Sequence, residues 1–95
     1  MNINNNYDSR RGAFTAEIDG SEAGEMTYVF TNDKVFIINH TNVEPAYEGE
    51  GVGTKMVLAA VDFARDSGYK LMATCPFARS VLVKRADDVR DVVYG

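Results

Sequence analysis

Residues 43–57 read VEPAYEGEGVGTKMV, placing Gly49, Gly51 and Gly53 at alternate positions directly before a helix-like run. Glycine loses more conformational freedom on folding than any other residue, so this spacing points to a backbone that bends sharply or lets something approach closely. Downstream, Val57, Ala60, Val61 and Ala64 recur at i, i+3, i+4 and i+7, one apolar stripe along a helix over 54–67. Lys55, Asp62, Arg65 and Asp66 fall off that stripe. Thr54 or Gly53 is the expected N-cap, and Gly68 fits the left-handed residue that ends a helix.

Upstream the period is two. Phe14, Ala16 and Ile18 alternate within 13–18, and Met26, Tyr28 and Phe30 alternate after them. Val35–Val43 is rich in β-branched and aromatic residues. Asp19-Gly20-Ser21 and Asn32-Asp33 supply the turns, so these strands read as an antiparallel meander. Past the helix, Lys70–Cys75 reads as a strand and 78–88 as a second helix, with Pro76 between them. A strand, a glycine turn, a helix and a strand make a βαβ unit with parallel strands and a right-handed crossover. The expected fold class is therefore α/β with a mixed sheet: a meander, one β-α-β crossover and a C-terminal helix. Tyr28, Phe30, Phe36 and Phe63 are the expected core aromatics.

Ninety-five residues without a Pro/Gly/Ser-rich linker read as one domain over 1–95, with the Asn-rich start, 1–6, as a flexible tail. The net charge of −4 lacks the basic face that general nucleic-acid binding needs. No apolar run approaches the length of a membrane span. Cys75 is the single cysteine, which excludes an internal disulfide, and with no export signal the expected compartment is the cytoplasm. One Cys and one His make no typical structural zinc site.

The first turn of a helix carries N–H groups without intrahelical partners, and its dipole adds positive charge there. A glycine-rich turn leading into that end lets a phosphate or diphosphate reach several N–H groups. The segment is neither a G-x-x-x-x-G-K-[ST] loop nor a G-x-G-x-x-G fingerprint. On spacing alone, an anion site and a ligand-free tight turn both fit.

The stretch from Val43 to Gly53 resembles the acetyl-CoA-binding segment of the GNAT superfamily of N-acetyltransferases, roughly V-x-P-x-[YF]-[RQ]-x-x-G-x-[GA]. With His40-Thr41-Asn42-Val43 and Cys75-Pro76-Phe77, the chain is similar to the short, single-domain, GNAT-like branch of that family. The resemblance implies a small acetyl-CoA-dependent enzyme that acetylates an amine, or a CoA-binding or protein-interaction module with little catalysis, as a monomer or weak homo-oligomer. It implies that Val43 pairs with the pantetheine arm through its backbone, in the gap between two splayed parallel strands. The N–H groups of Glu48, Gly49, Glu50, Gly51, Val52, Gly53 and Thr54 would cradle the diphosphate. The chain departs from the pattern at Glu48, where the family has Arg or Gln, and Glu44 and Glu50 flank it. Each carboxylate would oppose a diphosphate by about 1 kcal/mol at surface distances, with Lys55 offsetting part.

Two side chains are candidate catalytic groups. His40, the only histidine, suits a general base, or is a strand histidine held by local hydrogen bonds. Strand alternation places it with Phe36, Ile38 and Asn42. Cys75 ends the second parallel strand ahead of a helix start, where it either accepts an acetyl group as thiolate or packs as a small hydrophobe. Lys84 is the candidate for the adenine-side phosphates, while Arg79 and Arg85 read as a solvated helix face.

Overall fold

Each period-two run becomes a strand. The computed structural model describes residues 1–32 and 34–94, forming one five-stranded sheet in the order β1-β2-β3-β4-β5. The strands are β1 (Asn2–Tyr7), β2 (Arg11–Ile18), β3 (Ser21–Asn32), β4 (Val35–Val43) and β5 (Lys70–Ala73). The first four pair antiparallel in sequence order, and β5 runs parallel to β4. Helix α1 (Val52–Ser67) crosses over between β4 and β5; α2 (Pro76–Lys84) and α3 (Ala86–Val89) follow. The meander and parallel crossover are those expected from the sequence.

Local chemistry explains the joints. Asp19 and Gly20 both take positive φ, 52° and 82°, the two left-handed residues of the type I′ turn that joins twisted strands. At the far end of α1, Gly68 is left-handed with φ 76°, and the N–H groups of Gly68 and Tyr69 both close on the Ala64 carbonyl. The turn expected at Asn32-Asp33 includes Asp33, which lies outside the described residues.

Four boundaries differ from the sequence reading. The expected flexible tail, 1–6, is instead most of an edge strand. Ile3 packs on the core, Asn5 Oδ1 accepts a 2.6 Å bond from the Tyr28 hydroxyl, and Tyr7 stacks 5.1 Å from Phe63. Those three contacts hold a segment whose asparagines disfavour a strand. Helix α1 begins two residues before Thr54, because left-handed Gly51 is its N-cap and the Lys55 N–H closes the first turn on the Gly51 carbonyl. Strand β5 stops at Ala73, where the Thr74 and Cys75 N–H groups both converge on the Ile38 carbonyl. The single helix expected over 78–88 is two, broken at Arg85 with φ −113° and ψ 29°.

The core lies between the sheet and α1. Val57, Ala60, Val61 and Ala64 of the stripe, together with Met56, are buried against Phe14, Met26, Tyr28, Phe36 and Ile38. Each such large side chain contributes roughly 1.5–3 kcal/mol through burial. Tyr28 and Phe36 are fully buried with ring centroids 4.9 Å apart, and Phe63 from α1 lies 5.7 Å from Phe36. Phe30 and Phe63 are partly buried and packed against the core. Arg65 of α1 holds the Asp91 carboxylate through two nitrogens at 2.8 and 2.9 Å, tying the C-terminal segment to the helix.

Candidate functional site: a cleft where two strands part

Two strands that run parallel for four residue pairs then separate. β4 and β5 are paired from Val35 to Ile38 against Lys70 to Ala73, and no further. The remainder of β4, Asn39 to Val43, pairs only with β3. Its other edge is open to the gap. The Glu44 N–H donates to the Ala23 carbonyl on the β3 side, so by strand alternation the main chain of Asn42 also faces β3. The N–H and C=O groups of Thr41 and Val43 face the gap.

A bulge sets which side chains accompany them. Thr27 lies opposite His40 while Tyr28 lies opposite Ile38, so Asn39 is an extra residue in β4. Beyond it the alternation flips. Thr41 and Val43 join Met26 and Gly24 on the α1 face, and His40 joins Thr27 on the opposite face. This corrects the expected grouping of His40 with Phe36 and Ile38; the pairing of His40 with Asn42 on one face stands. His40 is exposed, and Asn39 Oδ1 accepts a 2.6 Å bond from the Thr27 hydroxyl beside it.

The glycine turn closes the other side of the gap. Gly49 and Gly51 take φ of 83° and 78°, which L side chains rarely adopt, and turn the chain from the short Pro45–Tyr47 helical turn into α1. Among the described residues, the N–H groups of Gly49, Glu50, Gly51, Val52, Gly53 and Thr54 make no hydrogen bond to the protein. The Glu48 N–H differs: it closes the preceding turn on Pro45 at 3.4 Å. Thr41 to Val43, the glycine turn, the start of α1 and Phe77 line an open cleft of about 530 Å³. Glu48 lines it; Glu50 does not.

Cys75 sits at the N-terminus of α2, buried, with its Sγ 3.4 Å from Thr41 Oγ1. Burial pushes its thiol up, but the Thr41 hydroxyl and the N–H groups of Ala78, Phe77 and Thr41 outweigh that, and the net direction is down from the ordinary value. Cys75 and His40 thus stand at the same parting of strands, yet His40 is on the face away from α1. Lys84 is exposed in the last turn of α2, seven residues beyond Phe77 and so about 10 Å along the helix, outside the cleft lining. Thr41 and Phe77 are wall residues that the reading of single side chains missed. Both stand in the quoted motifs, which was the available signal.

The arrangement suits an elongated anionic ligand. Unpartnered amides at a helix start can take a diphosphate, and a free strand edge can pair with an extended amide-bearing arm. The residues present therefore fit coenzyme A, and the cradle lies where glycine leaves the main chain bare.

These features define a class of α/β protein in which unpaired main chain of a parting strand and of a helix start borders a cleft. The chain belongs to the GCN5-related N-acetyl-transferase family, whose profile matches residues 13–92. Protein NATD1 of Homo sapiens is 30% identical over 70 residues, covering 73% of this chain and 62% of the human protein. Its Gallus gallus counterpart is 29% identical over 70 residues, covering 73% of this chain and 64% of that protein. The chain thus spans less than two thirds of the length of these curated relatives. A GCN5-like protein of Staphylococcus aureus has a solved structure with TM-score 0.68 and 29% identity, covering 99% of this chain and 90% of that one. A ribosomal-protein-alanine N-acetyltransferase from Brucella melitensis biovar Abortus 2308 shares the fold with TM-score 0.70 at 17% identity, over 82% of this chain and 62% of that one.

Among the described residues no helix is long and apolar enough to cross a membrane, and no group of three or more metal-ligating side chains occurs.

Proposed function

We propose that the protein is a small N-acetyltransferase that uses acetyl-CoA to acetylate an amine. The observation that carries this reading is that five residues with unpartnered amides, Gly49 and Gly51 to Thr54, line one cleft with the free edge of β4. Gly49 to Thr54 would hold the diphosphate, and the main chain of Val43 would pair with the pantetheine arm. Acetyl-CoA would supply an acetyl thioester, whose transfer needs a deprotonated amine and a protonated leaving thiolate.

The chain's own groups suit those needs. His40, exposed on the face away from α1, would take a proton from an amine arriving on that side. Cys75, with its thiol value lowered at the start of α2, would receive the acetyl group. In that route Cys75 Sγ would bond to the acetyl carbonyl carbon as the C–S bond to CoA breaks, with the CoA thiolate as the leaving group. The amine then attacks the acetyl-cysteine and releases the Cys75 thiolate. We place this activity in the cytoplasm, with the protein as a monomer or weak homo-oligomer.

A second reading, a CoA-binding module with little catalysis, rests on one observation. Among the described residues no α-helix precedes α1 to enclose an acceptor.

Calorimetric titration with acetyl-CoA tests the cofactor claim, the expected result being saturable heat and a raised melting temperature. Absence of both would remove it. Turnover over a panel of amines, with Cys75→Ala and His40→Ala beside the parent, separates enzyme from module. Rates above background that fall at least tenfold in either variant support catalysis; background rates with every amine favour the module. Acetyl recovered on Cys75 by mass spectrometry supports the covalent route, and an unmodified Cys75 in a turning-over enzyme excludes it.

A further inference from the structure

Two aromatic residues line the cleft, Tyr47 and Phe77, and Phe77 leans on the one glycine of the three whose φ is ordinary. A Cβ built on Gly53 would lie 2.7 Å from both Cε2 and Cζ of Phe77. Real Cβ atoms do not come that close, so the ring occupies the space that a side chain at 53 would need. Gly49 and Gly51 have nothing within 4 Å of the corresponding point; they serve backbone direction instead. Gly53 is buried in the first turn of α1, and Phe77 stands in the first turn of α2. The ring-on-backbone contact therefore brings two helix starts within one side chain of each other. Phe77 is 44% exposed although its ring edge is spent on Gly53, and the residue lines the cleft.

Resting on the reading above, we infer that Phe77 is a positioning residue for the CoA arm and that Gly53 fixes the place of its ring. The ring walls the cleft beside the free amides and the Val43 edge, so its position sets the width through which the arm passes. A methyl at residue 53 drives the ring toward the ligand; a smaller side chain at 77 removes both the wall and the obstacle. The effects of the two residues on affinity are therefore not independent.

The experiment is a double-mutant cycle in which acetyl-CoA affinity is read by calorimetry and melting temperature is followed alongside. Phe77→Leu lowers affinity about fivefold by loss of aromatic contact. Gly53→Ala lowers it about tenfold or more, by a steric effect that reaches the ligand through the ring. The double variant binds no more weakly than Phe77→Leu alone. Multiplying losses, or losses confined to melting temperature while the affinities stay at the parent's, overturn the inference and leave the CoA reading standing. An unaltered protein that fails to bind acetyl-CoA overturns both.

Discussion

The two halves of β4 are nine residues of one strand with opposite roles. From Val35 to Ile38 the strand is paired on both sides, and Phe36 and Ile38 are fully buried. Around Phe36 gather Tyr28, Phe30, Phe63 and Tyr69, with ring centroids 4.9–6.3 Å from it. From Asn39 to Val43 one edge is free, and the neighbours are glycines, a short helical turn and bare amides. A single extra residue, Asn39, separates the regimes by flipping which side chains face α1. Stability is concentrated at one end, and the other end is left with main-chain groups that the fold does not consume. Regions that must admit a ligand are commonly drawn from the less stable parts of a structure.

The largest effect should come from emptying the aromatic end. Phe36→Ala should cost about 3–5 kcal/mol, the range for large-to-small changes at a packed aromatic. Urea unfolding measures it directly. A loss below about 1 kcal/mol would erase the contrast, since the paired end would then be no better packed than the cleft.

Alkali should attack the same end next. Burial pushes the Tyr28 phenol up to about 12, with the bond to Asn5 pulling partly the other way. The folded state thus favours the neutral phenol over the unfolded chain, whose value is near 10.0. That contribution is complete below pH 10 and is lost as pH rises through 12, to a total of about 2–3 kcal/mol. Unfolding at pH 9 and at pH 11.5 should show the fall in the parent. Tyr28→Phe should be about 1 kcal/mol less stable than the parent at pH 9 through the missing hydrogen bond, but should lack that part of the slope, so that the deficit closes or reverses at pH 11.5. Equal slopes would show that Tyr28 is not the group responsible.

The paired half was legible in the sequence because its causes are local. Alternation at Phe14, Ala16 and Ile18, the Asp19-Gly20 turn and the stripe from Val57 to Ala64 each act within a few residues. The glycine turn was legible for the same reason. What escaped depends on partners distant in the chain. The bulge at Asn39 follows from the register that β3 imposes, and nothing in Asn39-His40 marks it; without it, His40 falls on the wrong face. Asn2–Tyr7 has the composition of a tail and becomes a strand only because Tyr28 and Phe63 offer Asn5 and Tyr7 a place. Thr41 meets Cys75 across 34 positions, and Phe77 meets Gly53 across two helix starts. Neither meeting leaves a periodic trace.

At the open end, effects on stability should be smaller and effects on binding larger. Gly51→Ala meets no atom within 4 Å but forces a methyl-bearing residue to φ 78°. It should cost about 1–2 kcal/mol. Gly20→Ala, with φ 82° and equally open space in the β2–β3 turn, is the matched control. Both should lose similar stability by urea unfolding, whereas acetyl-CoA affinity should fall only for Gly51→Ala, whose amides line the cleft. An equal fall in affinity would mean that the glycine turn has no special tie to the ligand.

The smallest effect is expected at Lys84, and it marks where the open end stops. The resemblance to CoA-binding proteins makes Lys84 a candidate for the adenine-side phosphates, but it stands at the far end of α2 from Phe77, about 10 Å along the axis. A lysine side chain spans roughly 6 Å, so a ligand seated at residues 49–54 is within its reach only by running along α2. A diphosphate held by amides at the start of α1 gives no reason for that course. Lys84→Ala should therefore leave acetyl-CoA affinity within about twofold of the parent and stability within about 0.5 kcal/mol, as for an ordinary surface change. Calorimetry at low salt is the sensitive form of the measurement, because exposed charges act furthest there. A tenfold loss would extend the ligand's path along α2, and the cleft would then be longer than the parting of β4 and β5 alone.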